Sequence, residues 1–383
     1  MPMAQPLQAV KVIDLSRILA GPYATMTLAD FGAEVIKVES PLGDETRTWQ
    51  PPVTSEGVST YYSAVNRNKR SIVVDFKNDS EVARLVDLIK DADVLIENFR
   101  PGVLNKFGLD YQQLKSINPK LVYCSISGFG DREGARLPGF DLLVQALGGL
   151  MSITGEVNGT PSKVGVALVD VLAGQNAISG ILLALRERDQ SGEGQQVKIS
   201  LLTSLLAGLT NQASGTIATG KVPTRLGNAH PSIAPYETFD TANGALAIGV
   251  GNDRQFALLL EQLKLDELKQ DERFTTNAVR VEHRQELKAL IEDALKDQEA
   301  SQWQKSLMSA GIPAGKVNSV LEAIDFAESL GLNPVIDIAN ESSGRTSSHI
   351  ANPIGLSRTP AQYTLVPPAL GEHQSLFSNE NTL

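Results

Sequence analysis

A chain of 383 residues, 42% hydrophobic and 20% charged, can bury a large core and suits two domains. Its net charge of −10 argues against bulk binding to nucleic acid. The single cysteine, Cys124, excludes an internal disulfide and a cysteine-rich metal site.

The first third alternates strand and helix. Residues 10–15 read as a buried strand, and Pro22 is well placed as the first residue of a helix over 23–31. Strands follow over 34–39, 71–76, 94–98 and 121–126, with helices near 80–90 and 111–117 between them. This rhythm predicts a mostly parallel sheet covered by helices. Such sheets bind ligands beyond the carboxyl ends of their strands. The first turn, Ser16-Arg17-Ile18-Leu19-Ala20-Gly21-Pro22, has one glycine, so a nicotinamide or flavin role is disfavoured. Arg67-Asn68-Lys69-Arg70 is the densest basic cluster, either a solvated turn or a small polyphosphate contact.

Asp170 is the only polar side chain in the run Val164-Gly165-Val166-Ala167-Leu168-Val169-Asp170-Val171-Leu172-Ala173. An acid in such surroundings is partly desolvated, which is unfavourable without compensation. It either N-caps the helix expected over 171–188 or does chemistry, and the two roles can coexist. A carboxylate at a helix N-terminus would be fixed and kept ionised, which suits a nucleophile.

After a strand over 195–199 and an apolar stretch over 201–209, the texture changes. Residues 219–235 are rich in Gly, Pro and Asn and mark a linker or active-site loop. A hairpin over 236–250 turns at Ala242-Asn243-Gly244. Amphipathic helices follow near 254–263, 280–295 and 300–309, and Ile312-Pro313-Ala314-Gly315 begins a return segment. The last ~30 residues read as loop. No uninterrupted apolar run reaches the ~20 residues that span a bilayer, and residues 1–6 show no signal-peptide pattern, so no membrane partner and a cytoplasmic location are expected. The four histidines are scattered and give no metal spacing.

Several segments together resemble the class III CoA-transferase family, which includes formyl-CoA transferase and α-methylacyl-CoA racemase. They are Leu19-Ala20-Gly21-Pro22, Asp30-Phe31-Gly32-Ala33-Glu34-Val35-Ile36-Lys37-Val38-Glu39, Asn68-Lys69-Arg70-Ser71-Ile72, Glu97-Asn98-Phe99-Arg100-Pro101-Gly102, Ser127-Gly128-Phe129-Gly130, Pro138-Gly139-Phe140-Asp141, Ile312-Pro313-Ala314-Gly315 and Leu370-Gly371-Glu372-His373. Each is weak alone, but the ordered set is specific. The fold class expected is α/β. The resemblance implies a large domain with a mostly parallel, Rossmann-like sheet, built from N- and C-terminal parts (1–220 and 326–383). It also implies a small α+β domain over 221–325 and two chains in an interlocked homodimer.

The resemblance implies a transferase that moves CoA from an acyl-CoA donor to a carboxylic acid acceptor, with coenzyme A as (co)substrate and no tightly bound cofactor. The family's nucleophile falls on Asp170, with Asp141 as a supporting carboxylate. CoA contacts fall on Ile18, Val74, Lys77, Asn98, Phe99, Val103 and Lys106. The family's adenine-stacking arginine is replaced by Ser40. Gly227, Asn228 and His230 lie in a candidate substrate loop. Two alternatives are a 2-methylacyl-CoA racemase and a non-catalytic acyl-CoA-binding protein. The racemases carry a histidine where this chain has Phe140, and their glutamate falls on Asn252. An intact Asp170 argues against the non-catalytic reading.

Overall fold

The structure is a computed structural model that describes residues 5–340 and 344–377. In chain order the main elements are β1 (Lys11–Asp14), α1 (Ala20–Asp30), β2 (Glu34–Glu39), α2 (Thr60–Ser63), β3 (Lys69–Val73), α3 (Asp79–Lys90), β4 (Val94–Glu97), α4 (Tyr111–Ile117), β5 (Val122–Ser127), α5 (Asp141–Leu147), α6 (Leu150–Ile153), α7 (Leu168–Ser191), β6 (Gln196–Ser200), α8 (Leu201–Gly208) and α9 (Thr210–Thr219). Then come β7 (Tyr236–Asp240), β8 (Ala245–Gly249), α10 (Asp253–Leu263), α11 (Asn277–Glu282), α12 (Arg284–Leu295), α13 (Ala300–Ser309), β9 (Ala314–Lys316), α14 (Val320–Ser329), β10 (Val335–Asn340) and β11 (Arg345–Ile350).

The chain divides into two compact units. The first takes Met1–Leu150, Val164–Lys221 and Asn333–Leu383, and the second takes Met151–Lys163 and Val222–Leu332. The first unit is built on a six-stranded sheet of order β3-β2-β1-β4-β5-β6. Every pairing in it is parallel, with Val12 opposite both Val35 and Val94. Chain order reverses between β1 and β4. That is the switch point at which a doubly wound sheet opens a crevice for ligand. Strands buried on both faces explain the near-continuous apolar runs, since Val12, Ile13, Val94, Leu95, Ile96 and Val122 are all inaccessible.

Helix α7 is the long core helix of this unit. Its buried positions Val169, Ala173, Gly174, Ala177, Ile181, Ala184 and Leu185 form one helical stripe. A Cβ on Gly174 would stand 2.8 Å from the Ala20 carbonyl oxygen, so this close crossing over α1 requires glycine. By length and composition α7 is long and apolar enough to cross a membrane, although polar residues interrupt its apolar run. In the fold it packs against α1, β5 and β6.

In the second unit β7, β8 and β9 form an antiparallel sheet. The core there is Phe239, Leu246, Leu259, Leu287, Ile291 and Leu307. Ala314–Lys316 pairs with β8, so the Ile312-Pro313-Ala314-Gly315 segment completes this sheet and does not begin a return. The β10–β11 hairpin was not anticipated from sequence. Helix α1 starts at Ala20, which makes Pro22 its third residue; the missing N–H is harmless anywhere in a first turn.

Candidate active site

The head of α7 carries two acids with different tasks. The helix begins at Leu168, and its N-cap residue Ala167 has no side chain to offer. Asp141, on the first turn of α5, fills that role from a distance. Its Oδ1 accepts the Val169 N–H at 2.8 Å, and its Oδ2 accepts Gln145 Nε2 at 2.6 Å. Gln145 in turn takes the Val164 N–H at 2.9 Å. The capping predicted for Asp170 therefore belongs to Asp141, because Asp170 is already the third residue of the helix.

Asp170 is left free. Among the described residues no hydrogen bond reaches its carboxylate. It lines a cavity of about 200 Å³ with Ile18, Asn98, Phe99, Gly139 and Phe140. Burial pushes its carboxyl up to about 7, and the charge of Asp141 adds to the shift. The expectation of an acid kept fully ionised by the helix terminus is thus corrected, since burial and a like charge outweigh it. The result is a basic carboxylate that still ionises near neutral pH. Tyr61, which no sequence motif marks, feels both acids. Burial, then Asp170 and Asp141, push its phenol up to about 12.

The cavity opens over the switch point. Behind it, the turn after β1 and the turn after β4 are clamped together. Asn98 Oδ1 accepts the Arg17 N–H at 2.9 Å, and Asn98 Nδ2 donates to the Arg17 carbonyl at 2.7 Å. Phe99 N–H donates to Glu97 at 2.8 Å, which props the same turn from below. Burial pushes the Glu97 carboxyl up to about 7. The two motif glycines Gly128 and Gly139 meet backbone to backbone; a Cβ on either would lie 2.5 Å from the other's Cα. That contact sets Phe140 at the cavity edge, where it is 54% exposed.

A second cavity, of about 210 Å³, shares Arg17 and Phe99 with the first. Val74, Lys77, Ser40, Phe76 and Phe107 line it. Phe76 lies between Phe99 and Phe107, with ring centroids at 6.1 and 5.3 Å. The structure so groups Ile18, Asn98, Phe99, Phe140 and Asp170 around one cavity, and Val74, Lys77 and Phe99 around its neighbour. Together they form a two-chambered groove with an acid, Asp170, in one chamber and a cation with an aromatic wall in the other.

The model of CoA-transferase family III matches residues 7–374. The chain belongs to CoA-transferase family III. It is 44% identical to a succinate–glutarate CoA-transferase of Agrobacterium fabrum, over 97% of this chain and 94% of that protein. It is 38% identical to the human succinyl-CoA:glutarate CoA-transferase, covering 98% of this chain and 86% of its relative. Among solved structures, a CAIB/BAIF family protein from Brucella suis superposes with a TM-score of 0.87 at 42% identity, with 98% of both chains covered. The protein is an enzyme of the CoA-transferase type.

The remaining candidate residues of this family III transferase lie on other elements. Val103 is the N-cap residue of the 3₁₀ turn Leu104–Phe107 and Lys106 lies within that turn; neither lines these cavities. Gly227, Asn228 and His230 belong to the second unit, where Asn228 Nδ2 donates to Thr238 Oγ1 at 2.9 Å and His230 packs edge-on against Tyr236. The basic cluster is no phosphate contact. Arg67 is buried against Asp30 at 2.6 Å, Lys69 is buried against Asp14 at 3.1 Å, and Arg70 pairs with Glu34.

Proposed function

We propose that this transferase moves CoA between carboxylic acids by covalent catalysis on Asp170, with short dicarboxylic acids of the succinate and glutarate class as its substrates. The observation that carries the mechanism is the half-buried carboxylate of Asp170, which lines a cavity and has no hydrogen-bond partner among the described residues, while the neighbouring acid Asp141 is engaged in capping. The substrate class rests on the names of the relatives.

Asp170 attacks the thioester carbonyl; a C–O bond forms, the C–S bond breaks, and CoA leaves as thiolate. The thiolate then attacks the aspartyl carbonyl of the mixed anhydride. An aspartyl–CoA thioester forms and the donor acid departs as carboxylate. The acceptor carboxylate repeats the sequence in reverse. Each step exchanges one activated acyl bond for another, so no external energy source is required. A nucleophile with a pKa near 7 is more basic than an ordinary carboxylate yet substantially ionised at neutral pH. Ile18, Asn98, Phe99, Val74 and Lys77 are proposed to seat the CoA moiety, with Lys77 as a point charge for its phosphates. Phe140 beside Asp170 cannot carry a proton, which favours transfer over racemisation.

The working form is proposed to be a cytoplasmic homodimer. Leu183, Leu206 and Ile217 are 72%, 46% and 85% exposed, an apolar surface that a second copy would cover. Sedimentation at nanomolar concentration should show the dimer; an active monomer would contradict it. The covalent step is tested by incubating the protein with succinyl-CoA and no acceptor. Peptide mapping should find CoA on the segment that contains Asp170. Normal exchange kinetics with no adduct on any peptide would contradict the proposal.

A further inference from the structure

The turn after β1 holds a strained residue beside the reacting acid. Ile18 has φ 69°. A β-branched side chain enters this left-handed region only under restraint. Such strain persists where surrounding contacts over-determine it, and it concentrates at functional sites. Ile18 lines the cavity of Asp170.

The restraints come from beneath. The Ile18 N–H points at the Asp44 carboxylate, 3.2 Å from Oδ2 and 3.4 Å from Oδ1. Lys37 Nζ bridges the same Oδ2 at 2.9 Å to the Ser16 carbonyl at 3.1 Å. Thr46 satisfies Asp44 Oδ1 through its N–H at 3.0 Å and its hydroxyl at 2.8 Å. The side chains of Lys37 and Asp44 are both inaccessible to solvent. Asp14 takes the Ser16 N–H at 2.9 Å, and Asn98 clamps Arg17 between them. Three consecutive peptide units are thus tied to side chains. Burial alone would raise the Asp44 carboxyl, but Lys37 and the Thr46 hydrogen bonds prevail and hold it at about 2, so the acceptor of the Ile18 N–H stays charged.

We infer that the buried Lys37–Asp44 pair is a positioning device for thioester binding, locking Ile18 in its left-handed conformation and fixing the wall between the two cavities. The inference rests on the CoA-transferase reading and deepens it. Neither side chain touches the reacting atoms. Their effect falls on the binding of the acyl-CoA and not on the chemical step.

The test compares four variants in steady-state transfer, with CoA binding measured by calorimetry. Lys37→Met/Asp44→Leu replaces the pair by apolar groups and leaves no orphaned ion, which proteins often tolerate. It should raise KM for acyl-CoA about tenfold and leave kcat within about threefold. Ile18→Gly alone measures the loss of a side chain that lines the cavity; added to the paired variant it should raise KM by a smaller factor, because glycine adopts a φ of 69° without restraint. Asp44→Asn preserves shape, serves if the paired variant does not fold, and should raise KM about threefold. An unchanged KM in the folded variants overturns the inference. So does an Ile18→Gly change that raises KM by the same factor in the paired variant as in wild type. Wild-type protein that neither binds CoA nor transfers it would sink the transferase reading instead.

Discussion

Two regions of the same unit handle buried acids in opposite ways. At the head of α7, Asp170 has no hydrogen-bond partner among the described residues, and its carboxyl rises to about 7. Under the β1 turn, Asp44 is fully buried, yet Lys37 and Thr46 outweigh burial and hold it at about 2. Asp14, between Lys69 and Lys37, is also held below the ordinary value despite full burial. The residue type is the same, and the partners decide. A paired acid builds the site, and an unpaired one is available to react.

The largest effect that would break this contrast comes from Asp170 itself. Asp170→Asn should reduce transfer by roughly a thousandfold or more, as loss of a covalent nucleophile does, while CoA still binds in calorimetry. Activity within tenfold of wild type would end the assignment. Next in size is Asp14→Leu. It leaves Lys69, fully buried and held at 3.1 Å, without its counterion. A loss of about 3–5 kcal/mol in denaturant unfolding is expected. A loss below about 1 kcal/mol would show that the network contributes little.

Asp141→Ala sharpens the comparison at α7. It removes the acceptor of the Val169 N–H, which should lower stability by about 1 kcal/mol. It also removes a like charge from Asp170, so the acidic limb of the pH–rate profile, set near 7 in the wild type, should move to lower pH. A limb that moves upward would contradict the arrangement. A further effect concerns stability alone. Because the folded carboxyl of Asp170 lies above its unfolded value, ionisation opposes folding above pH 7, and this opposition fades as pH falls toward 4. Asp170→Asn should therefore melt higher than wild type at pH 8, with the gap closing by pH 4. Equal melting temperatures throughout would mean that Asp170 is well solvated.

Much of the large sheet was legible in sequence, because buried parallel strands write themselves as apolar runs at 10–15, 34–39 and 94–98. Asp170 was legible for the same reason, as the one acid in such a run. Its role as a cap was misread because the true cap, Asp141, arrives from 28 residues away. No local pattern reports such a contact. The pairing of Ala314–Lys316 with β8 escaped for a similar reason, since a three-residue strand carries no period of its own. Asp14 and Lys37 were visible as charges inside apparent strands, and that signal could have pointed to the buried network. Ile18's conformation could not be read at all, because nothing in an isoleucine announces a left-handed backbone.

The most direct measurement follows oxygen. In the proposed sequence an acceptor acid labelled with ¹⁸O in its carboxylate attacks the aspartyl–CoA thioester, and one labelled oxygen stays on the aspartate when the acyl-CoA product leaves. After turnover with such an acid, the peptide that contains Asp170 should gain one ¹⁸O on that side chain, and Asp141 should gain none. Full turnover with an unlabelled Asp170 would contradict the account.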